Sequence, residues 1–137
     1  MEMKNSKVLK GILLYLGGNL IVIGSWRLFD PISFALTNDM DLNGQISLIN
    51  EARGAAGAIV GFGILIVLGV FIKRLTYISA IVGPVLYLGY GLARLLSFTI
   101  DGYPGEMGMV GMIGEFILGG LGLFALIKYG EKKTVSF

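Results

Sequence analysis

Residues 91–104 read GLARLLSFTIDGYP, and this stretch contains the feature that decides the fold. It is the end of a long apolar segment that carries Arg94 and then stops at an Asp-Gly-Tyr-Pro turn. The next apolar segment carries Glu115. An isolated charge at the centre of a membrane helix costs about 2.5–3.5 kcal/mol on insertion scales. An arginine and a glutamate on successive apolar segments therefore predict two membrane helices that bring opposite charges together.

The composition is typical of a membrane protein. Apolar residues make up 55% of the 137 residues and charged residues 15%, against a usual charged share of roughly a quarter. The 22 glycines suit helices that pack closely in lipid. Because the chain has no cysteine and no histidine, disulfides, thiolate chemistry, the usual zinc sites and imidazole bases are excluded. The net charge of +2 indicates no nucleic-acid-binding surface.

Four apolar segments each approach the ~20 residues needed to cross a bilayer. The predicted spans are residues 8–29, 53–73, 75–99 and 107–128. Such long apolar runs are unsuited to strands, and lipid requires backbone hydrogen bonds to form within each segment. The first segment lacks a small-residue cleavage motif, so we interpret it as a retained helix. The sequence therefore predicts an all-α, four-helix transmembrane bundle in a single domain, residues 1–137.

The distribution of basic residues predicts the orientation of these helices. Eight of the eleven lysines and arginines lie in the two tails, Lys132 and Lys133 among them, or at Lys73 and Arg74 between the second and third spans. The other two loops are acidic. The positive-inside rule then predicts that the N and C termini are both cytoplasmic.

The helical rise of ~1.5 Å per residue predicts the depth of each charge. Arg53 and Arg94 lie about 20 residues on either side of the basic turn, so both are expected ~30 Å from the inner surface. Glu115 precedes Lys128 by 13 residues, which places it ~20 Å from that surface. We therefore expect both arginines to reach Glu115.

Other polar residues lie near this depth. Glu51 and Asp101 are expected at the rim of the cluster, where they would orient the arginines. Asn19, Tyr87 and Tyr90 lie within spans, where either interhelical hydrogen bonds and core packing or contact with a ligand would explain them. A small-residue stripe in the second span, which predicts a helix-packing face, consists of Gly54, Gly57 and Gly61.

The sequence shows no catalytic constellation. A Ser-His triad is impossible without histidine, and only Glu115 among the acidic residues lies within a span, so a carboxylate metal cluster is not expected. We predict no catalytic residue, no metal and no cofactor, and a non-enzymatic role is favoured over an enzymatic one.

Several of these residues also carry a family resemblance. Residues 50–54 (NEARG), 91–97 (GLARLLS) and 101–104 (DGYP), together with Glu115, resemble a bacterial family of four-span membrane proteins, the domain-of-unknown-function 4345 group. Its overall plan is similar to that of the DoxX-like proteins. The resemblance implies a four-helix membrane bundle in the bacterial inner membrane. It also implies functional residues at Glu51, Arg53, Arg94, Asp101 and Glu115, and it implies no particular activity.

Four roles are open for the Arg/Glu cluster. It locks the helices together, or it binds a lipid-like or small amphipathic ligand, or a partner, near the outer leaflet. Alternatively, Glu115 serves a small proton-coupled transporter, or the chain is an accessory subunit of a larger membrane complex. The expected partners are membrane lipids and either further copies of the chain or such a complex, and no nucleic acid. We take binding through a buried Arg/Glu cluster as the leading hypothesis.

Overall fold

The computed structural model describes residues 2–131, which form four long helices, one short helix and a small strand pair. Each long helix has the length and apolar composition needed to cross a membrane, so the predicted four-helix transmembrane bundle is confirmed. Lys132 and Lys133, which entered the charge argument, lie outside the described residues. The elements are β1 Glu2–Met3, α1 Lys7–Phe29, α2 Pro31–Leu36, α3 Ile46–Phe71, α4 Lys73–Asp101, α5 Glu106–Tyr129 and β2 Gly130–Glu131.

Local chemistry sets several helix ends. The Ser6 hydroxyl caps α1 by accepting hydrogen bonds from two first-turn amides at 3.2 and 3.4 Å. Asp30 ends α1 and at once caps α2, whose first position is occupied by Pro31. Between α3 and α4 only Ile72 is extended, so Lys73 begins α4 and does not form the turn itself.

The helices pack mainly in sequential pairs. α1 lies chiefly against α3, α4 lies chiefly against α5, and α3 joins the two pairs through α4, whereas α1 and α5 meet over a short length. One face of α1 supplies much of the core, since its buried leucines follow a helical spacing. These leucines are Leu9, Leu13, Leu16 and Leu20.

Two glycines allow α1 and α3 to approach closely. A Cβ atom at Gly17 would lie 2.8 Å from the carbonyl oxygen of Gly63, and a Cβ at Gly63 would lie 2.9 Å from the carbonyl oxygen of Gly17. The predicted packing stripe on α3 was wrong, because α3 turns its buried face elsewhere. A Cβ atom would meet nothing within 4 Å at Gly54, Gly57 or Gly61.

The outer surface of the bundle is largely apolar. Many large hydrophobic side chains are well exposed, including Val22, Phe29, Ile46, Ile100 and Ile127. A water-soluble monomer rarely carries so extensive an apolar surface, whereas lipid solvates it. The chain is therefore an integral membrane protein.

The short strand pair holds the two ends of the described segment, residues 2–131, together. Glu2 and Met3 pair antiparallel with Glu131 and Gly130, and the Lys4 amide donates a hydrogen bond to the Tyr129 carbonyl at 2.7 Å. Both ends therefore lie on the same side of the bundle, as an even number of spans requires.

The close approach of α1 and α3 makes a testable prediction. Gly17→Ala should destabilise the bundle by about 1–3 kcal/mol, because the new methyl group meets the backbone and side chain of α3. The free energy of unfolding, measured in mixed micelles by denaturing-detergent titration, checks this. Gly18→Ala is the matched control, because its methyl group would meet nothing within 4 Å. Equal stability of the two variants would contradict this account of the packing.

Candidate functional site

Arg94 of α4 and Glu115 of α5 form the predicted ion pair. The Arg94 Nε atom donates a hydrogen bond to Glu115 Oε1 at 3.0 Å and also lies 3.0 Å from Oε2. α4 and α5 pack side by side, and Gly111 of α5 leaves room for the guanidinium. The Arg94 side chain is nevertheless 42% exposed and that of Glu115 is 17% exposed. The expectation of a buried Arg/Glu cluster was therefore wrong: the pair lies on the wall of an open cavity.

Glu115 keeps one oxygen without a hydrogen bond. Oε2 is shielded from solvent, and it accepts no hydrogen bond from any residue between 2 and 131. An acceptor shielded from water and left without a donor carries a desolvation cost of about 1–3 kcal/mol. The Arg94 contact is thus the main compensation for a charge placed among membrane helices.

Asn19 and Tyr87 form a second polar contact, between α1 and α4. The Asn19 side-chain amide donates a hydrogen bond to the Tyr87 hydroxyl at 3.1 Å, and that hydroxyl donates to the Leu16 carbonyl at 2.8 Å. Tyr87 is only 4% exposed. Both residues therefore serve the interhelical hydrogen bonding that was one of their two predicted roles, and both also lie on the wall of the cavity.

This cavity lies between α1 and α5, where the two helices diverge. It has a volume of about 380 Å³, and α4 and α3 line its inner side. Residues of α2 and of the segment that follows it line the end remote from the strand pair. Its wall is mostly apolar, with Ile23, Leu86, Val110 and Leu118 among the lining side chains. The polar residues Asn19, Tyr87, Tyr90, Arg94 and Glu115, all predicted site residues, share this wall.

Three residues at the end of the cavity nearest α2 were not predicted from the sequence. Arg27 and Trp26 from the end of α1 line it together with Phe34 of α2. The Trp26 and Phe34 rings meet edge to face with centroids 5.3 Å apart, and the Arg27 guanidinium lies 5.9 Å from the Phe34 centroid. A usable signal was present, since Arg27 is the first charge after α1 leaves its apolar run and Phe34 follows within two helical turns.

Asp30 holds α2 in place over the cavity. Its carboxylate accepts a hydrogen bond from the Ser33 amide at 3.1 Å. The side-chain and backbone hydrogen bonds of Ser33, with a smaller contribution from the charge of Arg53, hold the pKa of the Asp30 carboxyl below its usual range. A depressed pKa means that this cap contributes its stability above the unfolded-state pKa of about 3.9 and loses it only in acid. At neutral pH the cap of α2 is therefore fully formed.

The remaining predicted site residues lie apart from Glu115. Arg53 donates a hydrogen bond from Nη1 to the Leu28 carbonyl at 2.9 Å, so it ties α3 to the end of α1. Asp101 accepts a hydrogen bond from the Ser97 hydroxyl at 2.8 Å within α4, and Glu51 is exposed on α3. The structure thus brings Arg94 and Glu115 together, and it places Arg53, Glu51 and Asp101 elsewhere at that end of the bundle.

Comparison with known proteins identifies a family. Residues 8–126 match the family described as "Domain of unknown function (DUF4345)", which covers all four long helices except the end of α5 and the first residue of α1. No curated protein and no solved structure matches the chain. The matched region contains the whole cavity wall and the Arg94–Glu115 pair. The chain is a member of the DUF4345 family.

Proposed function

We propose that this protein binds a lipid-like amphiphile with an anionic head in the cavity between α1 and α5. The observation that carries the proposal is the cavity itself, which combines an apolar wall with two arginines and one carboxylate. Its volume of about 380 Å³ falls within the roughly 300–1,000 Å³ typical of small-molecule sites. The role is non-enzymatic, and no catalytic residue is assigned.

The charges on the wall favour an anionic head group. Arg94 is paired with Glu115, whereas Arg27 forms no ion pair with any residue between 2 and 131. The end of the cavity nearest α2 therefore carries one positive charge without an ion-pair partner, next to apolar side chains. In this proposal Arg27 contacts the ligand in place of Arg53, because Arg27 lines the cavity and Arg53 does not. Arg94 contacts the ligand as expected from the sequence.

The shape of the cavity favours a ligand with an apolar chain. Ile23 of α1 and Val110 of α5 line its two edges and are well exposed on the apolar outside of the bundle. A ligand already dissolved in the bilayer would pass between these helices without leaving an apolar environment. Its head would then lie beside Arg27 and Arg94, and its chain along the apolar wall.

The orientation of the bundle determines which leaflet supplies the ligand. The cavity lies at the end of the bundle remote from the strand pair, because it is lined by the end of α1, by α2 and by the start of α5. With the positive-inside rule placing both termini in the cytoplasm, this end faces the outer leaflet of a bacterial inner membrane.

Proton-coupled transport is the second candidate, because Glu115 lines the cavity and one of its oxygens has no hydrogen-bond donor within residues 2–131. A carrier of this class would have to exchange a proton for substrate at Glu115. Arg94 Nε lies 3.0 Å from both carboxylate oxygens of Glu115, and this ion pair favours a fixed role in binding.

The orientation can be tested with single cysteines, since the natural chain has none. A cysteine introduced at Asn43, in the loop between α2 and α3, should react with a membrane-impermeant maleimide added outside intact bacterial spheroplasts. A cysteine at Asn5 should react only after permeabilisation. The reverse pattern would place the cavity in the inner leaflet and contradict the proposed orientation.

The binding role can be tested by native mass spectrometry of the protein released from mild detergent. Wild-type protein should carry a discrete additional mass, and Arg94→Ala should lose it because the cavity loses a cation. Arg94→Ala also leaves Glu115 unpaired, which should cost about 2–3 kcal/mol of stability. Arg94→Ala/Glu115→Gln removes that unpaired charge, so it should recover the stability and still lack the bound mass.

Arg53→Ala is the matched control for this experiment, because Arg53 lies on the same end of the bundle and does not line the cavity. It should keep the bound mass. A bare protein in wild type, or equal loss in the Arg53 and Arg94 variants, would refute the binding role. Stoichiometric co-purifying proteins would instead favour an accessory subunit of a larger complex.

The binding role and the proton-coupled alternative predict different binding enthalpies, and calorimetry can measure them. Lysophosphatidylglycerol, whose phosphodiester does not titrate near neutral pH, should bind with the same apparent enthalpy in two buffers of different ionisation enthalpy. This result is expected if Glu115 neither gains nor loses a proton. A buffer-dependent enthalpy in wild type that disappears in Glu115→Gln would favour proton exchange over simple binding.

A further inference from the structure

A second cavity lies at the opposite end of the bundle, beside the strand pair. It has a volume of about 190 Å³ and is formed by the N-terminal segment, the first turns of α1 and the junction of α3 with α4. None of its lining residues belongs to the cavity between α1 and α5. It is therefore a separate feature of the fold.

Three lysines line this second cavity, namely Lys4, Lys10 and Lys73. No acidic side chain is among the lining residues, and none of the three lysines forms an ion pair within residues 2–131. The acidic residues Glu2 and Glu131 lie opposite each other in the strand pair, and neither lines the cavity. The cavity is thus a positively charged concave surface.

The N-terminal segment is held in position and does not act as a loose basic tail. Met3 is 9% exposed, and the Lys4 amide donates a hydrogen bond to the Tyr129 carbonyl at 2.7 Å. The Ser6 hydroxyl then caps α1. These contacts fix the backbone of Lys4 beside the cavity that Lys10 and Lys73 also line, so the three lysines are brought together before any ligand binds.

The start of α4 lies at this cavity. Lys73 is the first residue of α4 and lines the cavity, so its ammonium group adds to the positive charge there. The end of α3 lies beside it at Phe71, so the opposite partial charges of the two helix ends offset each other. The positive character of the cavity therefore comes from the lysines.

The apolar lining indicates which kind of anion fits. Val70 and Phe71 line the cavity on the α3 side, and Phe71 is 74% exposed on the lipid-facing surface of the bundle. A phospholipid would place its phosphate among the lysines and its acyl chains past Phe71. A free phosphate would gain nothing from that apolar edge.

We propose that this lysine-lined cavity binds the phosphate group of an anionic phospholipid from the leaflet on the side of the chain termini. Basic residues next to membrane helices attract anionic lipids with about 1 kcal/mol each near the surface. The grouping of three lysines around one cavity should add a preference for it over other basic positions at the same end of the bundle.

The test uses the full chain in phosphatidylcholine nanodiscs that contain a small fraction of phosphatidylglycerol, with bound phosphatidylglycerol counted by native mass spectrometry. Lys4→Gln/Lys73→Gln should weaken retention roughly tenfold or more, because two cavity cations are removed. Lys7→Gln/Arg74→Gln is the matched control. It lowers the net charge equally, at neighbouring residues that do not line the cavity, and should retain the lipid.

Three outcomes would overturn the proposal. Equal weakening in the two double variants would indicate diffuse surface attraction. Displacement of the lipid by excess inorganic phosphate, with phosphate itself retained, would indicate a free-phosphate site. Loss of the lipid in Arg94→Ala, with retention in Lys4→Gln/Lys73→Gln, would place it in the other cavity. The unfolding temperatures of the two double variants should match that of the wild type, because all four changed side chains are exposed. This measurement separates loss of binding from loss of folding.

Discussion

The architecture depends on the limited contact between α1 and α5. α1 is held against α3 by the reciprocal approach of Gly17 and Gly63, and α5 is held against α4, where a Cβ at Gly119 would lie 2.6 Å from the Leu88 side chain. These two tight pairs leave α1 and α5 to meet where Leu16 packs against Gly122. Beyond that level α1 and α5 diverge, and the space between them is the cavity. The cavity is therefore a consequence of which helices carry the glycines.

The polar contacts follow from the same geometry. The Asn19–Tyr87 hydrogen bond lies where α1 still reaches α4, and the Arg94–Glu115 pair lies nearer the open end. Each contact satisfies groups that lipid would leave unpaired, since polar groups in hydrocarbon cost several kcal/mol. The Asn19–Tyr87 contact is nearly buried and joins the two helix pairs. The Arg94–Glu115 pair is partly exposed, and Arg94 faces the cavity.

The sequence predicted what hydropathy and helical rise determine. Uncharged runs of about 20 residues predicted the four long helices, and depth alone predicted that Arg94 would reach Glu115. The helical rise predicts how deep a residue lies in the membrane. It does not predict in which direction around the helix axis the side chain points. Arg53, on α3, therefore bonds to α1, because α3 packs on α1, whereas Arg94, on α4, faces α5.

Direction around the axis also explains the other errors. The glycine stripe at Gly54, Gly57 and Gly61 has helix-packing spacing, yet a spacing motif does not state whether a neighbour lies on that face. Gly17 and Gly63, where α1 and α3 do meet, belong to no G-x-x-x-G motif. The two-residue strands carry no periodic signal at all, so the joining of the chain ends could be read only from the structure.

The layer between the two cavities bears on the choice between binding and transport. Leu13 and Leu16 of α1 are almost fully buried there with Ile66 of α3, and Ser79 donates its hydroxyl to the Leu65 carbonyl at 3.0 Å. In this arrangement of residues 2–131, a substrate passing from one end to the other would have to separate this packed layer. Close-packed cores resist such gradual opening. Binding at each end, with the core intact, requires no such rearrangement, and this is the physical reason for preferring it.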